Sequence, residues 1–295
     1  MPNKFLSCGR YRLRLPSDGK RPLVMGILNV TPDSFSDGGH FYDLEAALSR
    51  AEQMIADGAD LIDIGAESTR PGVAPVSAAE ELRRLMPVVY ALRDCGKPIS
   101  VDTSKPEVMR EVIAAGADMI NDINAFQAPG ALELLAEGDA GLCIMHMQGI
   151  PQTMQQAPVY EDVCNDVTLF LQRRVNAALD AGVARSRLCI DPGFGFGKTQ
   201  AHNVLLLRGM RRMADALHLP LLAAMSRKSM IGALTGKPLE QRLAGSIGGA
   251  IAAAALGAAM VRVHDVAETV DALAVWEAAT GPAPEFLAAE SKSNY

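Results

Sequence analysis

No two of the five cysteines, Cys8, Cys95, Cys143, Cys164 and Cys189, stand at CxxC spacing, and their number is odd. That excludes a cysteine zinc site and a complete disulfide framework, and it is the usage of a reduced, cytoplasmic protein. Positive charge is also short. The chain carries 28 Lys and Arg against 34 Asp and Glu, a net charge of −6. General affinity for nucleic acid or an acidic membrane surface is therefore not expected. The N-terminal MPNKFLSCGRYRLRLP has no apolar signal core. One uncharged stretch, 243–259, is built of Ala and Gly, whereas a membrane span takes about 20 predominantly apolar residues. It reads as a buried helix packed closely on its neighbours, suited to a subunit contact. Nucleotide loops are missing too. In GFGFGKT (193–199), Pro192 stands where a phosphate loop needs its first Gly, and Lys198 replaces the third Gly of a dinucleotide fingerprint. These glycines serve a turn after a strand, and Phe196 between two of them can present a ring to a ligand.

What the chain does have is eight short apolar runs that end in polar residues. LVMGILNV holds Asn29, LIDIGA runs to Glu67, and PISVDT holds Asp102. MINDI holds Asn121 and Asp122, LCIMHM holds His146, and LCIDPG holds Asp191. PLLAAMS precedes Arg227 and Lys228, and MVRVHD holds Arg262, His264 and Asp265. Helical patterns lie between them, so the expected fold is a TM-free α/β protein, a TIM (β/α)8 barrel, with all strand ends on one face. An open doubly wound sheet is the alternative. The helix-to-strand joins repeat: IADGADLIDI, IAAGADMINDI and LGAAMVRV place Gly58, Gly116 and Gly257 where a helix stops in a left-handed turn. Ser77 with Glu80, Ser104 with Glu107 and Asp265 with Glu268 predict helix starts, and a longer helix is expected over about 161–181. Before residue 22, Arg10, Arg12 and Arg14 alternate with Tyr11, Leu13 and Leu15. That predicts a short β extension closing the barrel floor, with its arginines as a solvated face. One domain over 1–281 and a flexible tail over 282–295 are expected.

The chemistry is expected at the strand ends. Asp102, Asn121 and Asp191 are acceptors on three strands, and a buried carboxylate needs donors. Capping a helix or tying a loop would satisfy each alone. Converging, they suit a ligand rich in N–H groups, such as an amino-substituted heterocycle. Lys228, Arg262 and His264 follow the last two strands, where barrels often bind phosphate. His146, between two methionines, reads as structural. The loops 29–41 and 66–76, with Phe35 and Arg70, are placed to act as lids.

In order, MGILNVTPDSFSDGG, GAESTRPG, SVDTSK, IND, MHMQG, DPGFGFGK, SRKS and VRVHD resemble the dihydropteroate synthase family over roughly residues 5–280. Ile150, where Thr is common, is a small departure. The resemblance implies a folate-pathway transferase. It would join 4-aminobenzoate to (7,8-dihydropterin-6-yl)methyl diphosphate, releasing pyrophosphate. It implies that Asp102, Asn121, Asp191 and Lys228 hold the pterin, and that Arg70, Arg262 and His264 hold the pyrophosphate. Asn29 would bind Mg²⁺ with it. Thr69, Pro71, Phe196 and Ser229 would shape the aminobenzoate pocket with Lys228, and Phe35 would close over it. A homodimer and a sulfonamide target are implied as well. Cations around a leaving diphosphate favour dissociative substitution through a cationic pterin, with Asp102, Lys228, Arg262 and Asn29 as the catalytic set. Two other readings are a methyltetrahydrofolate–corrinoid methyltransferase, which would need no diphosphate cations, and a pterin-binding paralogue without catalysis.

Overall fold

The computed structural model describes residues 4–17, 19–31, 40–68 and 74–281. Two short strands, β1 (Phe5–Cys8) and β2 (Tyr11–Arg14), pair antiparallel as a hairpin. Eight parallel strands follow: β3 (Leu23–Asn29), β4 (Leu61–Gly65), β5 (Ile99–Asp102), β6 (Met119–Asp122), β7 (Gly141–Met145), β8 (Leu188–Asp191), β9 (Leu222–Ala223) and β10 (Met260–Val263). Their order is β8-β7-β6-β5-β4-β3-β10-β9, and a parallel bridge from Ile190 to Leu221 joins the two edges. All eight apolar runs are strands, and the barrel rather than the open sheet is the outcome.

Alternation along each strand separates two environments. Val24, Ile62, Ile64, Val101, Ile120, Leu142, Ile144, Ile190 and Val261 belong to a core shared with the surrounding helices. The other face points into the barrel. Its floor is a second apolar cluster containing Met25, Leu61, Met119, Cys143, Cys189, Leu222 and Met260. Leu6 and Cys8 of the hairpin complete that floor, as the period of two before residue 22 predicts. The hairpin arginines are less uniform than expected. Arg10 donates from Nε to the buried Asp118 at 3.0 Å and from Nη2 to the Arg93 and Gly116 carbonyls, so it fastens the hairpin to the barrel.

Helices α1 (His40–Ala56), α4 (Ala131–Ala136) and α6 (Gln200–Leu217) are among those that connect the strands, and the helix joins behave as the glycines require. Gly58, Gly116 and Gly257 have φ of +94°, +112° and +90°. Helix starts divide. Ser77 accepts from Glu80 N at 3.2 Å and caps α2 (Ala78–Leu92). Ser104 does not cap α3 (Pro106–Ala115), because Pro106 sets its first turn and Lys105 takes the cap position without a side-chain bond. Asp265 stands at the cap of α9 (Val266–Thr280), but its carboxylate pairs with Arg227. The expected long helix is α5 (Val163–Asp180), capped by Asp162. The Ala/Gly stretch forms α8 (Leu243–Ala255). Among the described residues no helix is long and apolar enough to cross a membrane.

Candidate active site at the strand ends

Inside the barrel, residues two apart share a face, so each strand climbs from the apolar floor to a polar mouth. Leu61 leads to Asp63, Met119 to Asn121, Cys189 to Asp191 and Met260 to Arg262. The register aligns Asn29, Gly65, Asp102 and Asn121 across four neighbouring strands. Gly65 keeps this row open: a Cβ there would lie 3.8 Å from Asn29 Oδ1 and 4.0 Å from Asp102 Oδ2.

A charged network forms just beneath. Arg262 donates from Nε to Asp63 Oδ2 at 2.6 Å and from Nη2 to Asp102 Oδ2 at 3.1 Å. Asn121 Nδ2 donates to the same Asp63 oxygen at 3.2 Å. Asp63 is fully buried. Its Oδ1 and Asn121 Oδ1 are buried acceptors with no hydrogen-bond donor among the described residues. Such acceptors cost stability until a donor meets them. They suit a flat ligand that brings N–H groups. Sequence reasoning missed Asp63. Its signal was an acidic residue at an inward position of an otherwise apolar strand, LIDIG.

Asp191 Oδ1 accepts from Gly193 N at 2.6 Å, so this carboxylate ties down its loop as well as facing the mouth. Lys228 Nζ donates to the Phe194 carbonyl at 2.7 Å and lies 4.7 Å from the Phe196 ring centroid. His264 is held through its N–H and its Nδ1, both within 3.2 Å of Ser226 Oγ. Ser229, the first residue of α7 (Ser229–Thr235), is exposed beside Lys228. Asn29 is exposed at the end of β3. His146 is structural, as expected: it is buried, its ring packs edge-on against Phe170, and its Nδ1 meets Lys198. Glu67 serves its own loop, accepting from Val76 N at 3.1 Å and from Lys105, which also bonds the buried Glu81. Phe35, Thr69, Arg70 and Pro71 lie outside the described residues.

Burial dominates the charges here. It pushes Asp102 up to about 7, with Arg262 opposing and Asp63 assisting. It raises Asp191 against the pull of Lys228, and lowers Lys228 to about 8 against the pull of Asp191. Burial also works against the charge of Arg262, but Asp63 and Asp102 more than reverse it and the guanidinium stays charged. His264 is lowered to about 4 by burial and then by Arg262, so its imidazole is neutral near pH 7. The site thus sets acceptors on β4, β5, β6 and β8 against Lys228, which precedes α7 beyond β9, and Arg262 on β10. Among the described residues no three His, Cys, Asp or Glu side chains gather as a metal cage.

A family profile described as "Pterin binding enzyme" matches residues 25–264. The chain is 53% identical over 260 residues to a dihydropteroate synthase of Haemophilus influenzae, covering 87% of this chain and 94% of that one. Among solved structures it resembles a Burkholderia cenocepacia dihydropteroate synthase complexed with 7,8-dihydropteroate, with a TM-score of 0.85 at 52% identity. That match covers 95% of this chain and 97% of the other. A Xanthomonas albilineans dihydropteroate synthase with 4-aminobenzoic acid gives a TM-score of 0.86 at 50% identity, covering 94% and 98%.

Proposed function

The chain belongs to the dihydropteroate synthase family of pterin-binding enzymes, transferases of folate biosynthesis, and from that premise we propose that it joins (7,8-dihydropterin-6-yl)methyl diphosphate to 4-aminobenzoate. The products are 7,8-dihydropteroate and pyrophosphate. The observation that carries this reading is the row of acceptors, Asp102, Asn121 and Asp191, facing the cations Lys228 and Arg262 across one barrel mouth.

In this reading the pterin's N–H edge lies on Asp102, Asn121 and Asp191. Asp63 bonds Asn121 and Arg262, and so holds two of the contacting groups in place. Arg262 is already bonded to two carboxylates, so the diphosphate shares it with them; His264 meets the anion beside it, with Arg70 from the neighbouring loop. Phe196, Ser229, Thr69 and Pro71 border the aminobenzoate, Lys228 touches both substrates, and Phe35 closes over the pocket. Asn29 supplies an oxygen donor next to Asp102, which fits a Mg²⁺ ion held mostly by diphosphate oxygens and water. When bound, that ion would neutralise leaving-group charge. The bond from the pterin methylene to the diphosphate breaks first. The electron-rich ring carries the resulting positive charge, ionised Asp102 and Asp191 oppose it, and the amine nitrogen then attacks. Electrons pass from the amine to carbon, the displaced pair leaves on the diphosphate oxygen, and the amine proton goes to solvent.

A homodimer is part of the proposal. The outward face of α8 is uncharged, with Leu243, Ala244, Gly248 and Ala255 exposed, and Val275 on α9 is 72% exposed. Formation of dihydropteroate by the purified protein from both substrates and Mg²⁺ tests the function. Single-turnover rates with ring-substituted aminobenzoates test the order of bond breaking. Rates nearly independent of amine basicity are expected, and a steep dependence would make attack and departure concerted.

A further inference from the structure

The segment after β8 is held in an unusual way. Each carbonyl from Gly193 to Gly197 accepts a hydrogen bond from a side chain. Lys198 Nζ donates to Gly193 O at 2.8 Å and to Phe196 O at 2.9 Å. Lys228 takes Phe194 O at 2.7 Å, Gln155 takes Gly195 O, and the Tyr160 hydroxyl takes Gly197 O at 2.7 Å. The loop also lies directly on the chain leaving β7. A Cβ on Gly193 would sit 1.8 Å from the His146 carbonyl oxygen, and one on Gly197 would sit 2.3 Å from that of Gln148. Both glycines have positive φ, +68° and +63°, so no other residue fits either place without strain.

Lys198 is the centre of this arrangement, and the reaction above does not use it. It is 2% exposed. Besides the two loop carbonyls, its Nζ meets His146 Nδ1 at 2.9 Å and His146 O at 3.3 Å. The three carbonyl oxygens match the three N–H groups of an ammonium. None of the Nζ partners is a carboxylate. Burying a cation is costly unless it is hydrogen-bonded; burial pulls the Lys198 pKa well below its usual value, and these hydrogen bonds are what offset the cost. They also fold residues 193–197 so that the Phe194 carbonyl and the Phe196 ring both meet Lys228.

We infer that Lys198 is a positioning residue, which shapes the 193–197 loop and through it places Phe196 and the Lys228 ammonium at the 4-aminobenzoate pocket. This rests on the proposed function for the identity of that pocket. Lys228 is reached from one side by this loop, while Asp102 and Asn121 stand on other strands. Loss of Lys198 therefore acts on the amine more than on the pterin.

The test is Lys198→Met in the full-length protein, assayed beside wild type. KM for 4-aminobenzoate rises about tenfold or more, because small misplacements in a site cost large factors. KM for the pterin diphosphate also rises, because Lys228 touches both substrates, but by less than about threefold, since Asp102 and Asn121 are held by Arg262 and Asp63 and not by this loop. The change in kcat is also less than about threefold. A folded variant with unchanged KM for 4-aminobenzoate, or with equal losses for both substrates, overturns the inference. If this variant does not fold, Tyr160→Phe and Gln155→Ala replace it. Each removes one tie and raises that KM severalfold, and no change in either overturns the inference equally. If wild type itself makes no product, the functional reading has failed. The loop inference is then decided by NMR of ¹⁵N-lysine-labelled protein. The Lys228 signal and its titration, near about 8 in wild type, move in the Lys198→Met protein; an unmoved signal overturns it.

Discussion

Replacing Asp63 by Asn separates a structural carboxylate from one that sets the chemistry of the mouth. Asn keeps the size and one acceptor but removes the charge opposite Arg262, 2.6 Å away in a fully buried position. Deleting a partner from a buried ion pair costs about 3–5 kcal/mol. Here Asp102 remains bonded to Arg262 and Asn retains an acceptor, so the loss should resemble that of one charged hydrogen bond, about 1.5–3 kcal/mol. In a chain of this size that lowers the melting midpoint by about 2–5 °C. A double-mutant cycle with Arg262→Met should return a coupling of about 1.5–3 kcal/mol between residues in direct contact. There is a second, independent consequence. The charge of Asp63 helps to raise Asp102. Without it, Asp102 ionises at lower pH. Pterin binding that needs ionised Asp102 weakens as pH falls through about 7 in wild type, and this midpoint should move to lower pH in the variant. Calorimetric titration with a pterin ligand across pH measures it. A coupling below about 0.5 kcal/mol, the level of independent sites, together with an unmoved midpoint, would refute the reasoning.

Asp102→Asn should weaken pterin binding at least about tenfold, since a charged hydrogen bond is worth about 1.5–3 kcal/mol; unchanged affinity in a folded variant removes Asp102 from the pterin site. Diphosphate with Mg²⁺ should raise the melting temperature by binding the native state, less so in Arg262→Ala and His264→Ala, and equal shifts would place the anion elsewhere. His264 titrates near about 4 when free, and an anion favours its charged form, so diphosphate binding should take up protons and tighten as pH falls. Calorimetry in buffers of different ionisation enthalpy reads that uptake, and none would exclude His264. Deleting residues 283–295 should leave activity intact, because the segment has no periodic apolar face, and a large loss would show that it packs against the barrel or a partner.

Much of this architecture was legible because its signals are local. Gly58, Gly116 and Gly257 mark helix ends through a backbone conformation only glycine adopts freely, and each eight-fold repeat unit shows its own apolar run. Asp102, Asn121 and Asp191 stood out because they end such runs. Asp63 did not, since its meaning depends on facing Arg262 from a strand 199 residues away in the chain. The same distance hid the competition for Arg262, which sequence reading gave wholly to the anion. Capping signals failed where a stronger local constraint was present, as with Pro106 after Ser104, or where a distant partner claimed the carboxylate, as Arg227 does for Asp265. The glycines of 193–199 were correctly read as a turn, but not the buried lysine that shapes it, because a lysine beside glycines looks solvent-exposed in a sequence.

The central claim is that this barrel mouth condenses a pterin diphosphate with an arylamine. Purified protein incubated with (7,8-dihydropterin-6-yl)methyl diphosphate, 4-aminobenzoate and Mg²⁺ should yield 7,8-dihydropteroate and pyrophosphate in equal amounts, detected by mass spectrometry, with the yield greatly reduced in Asp102→Asn. Pterin binding by a folded protein that forms no dihydropteroate would contradict the claim and leave a pterin-binding paralogue without catalysis.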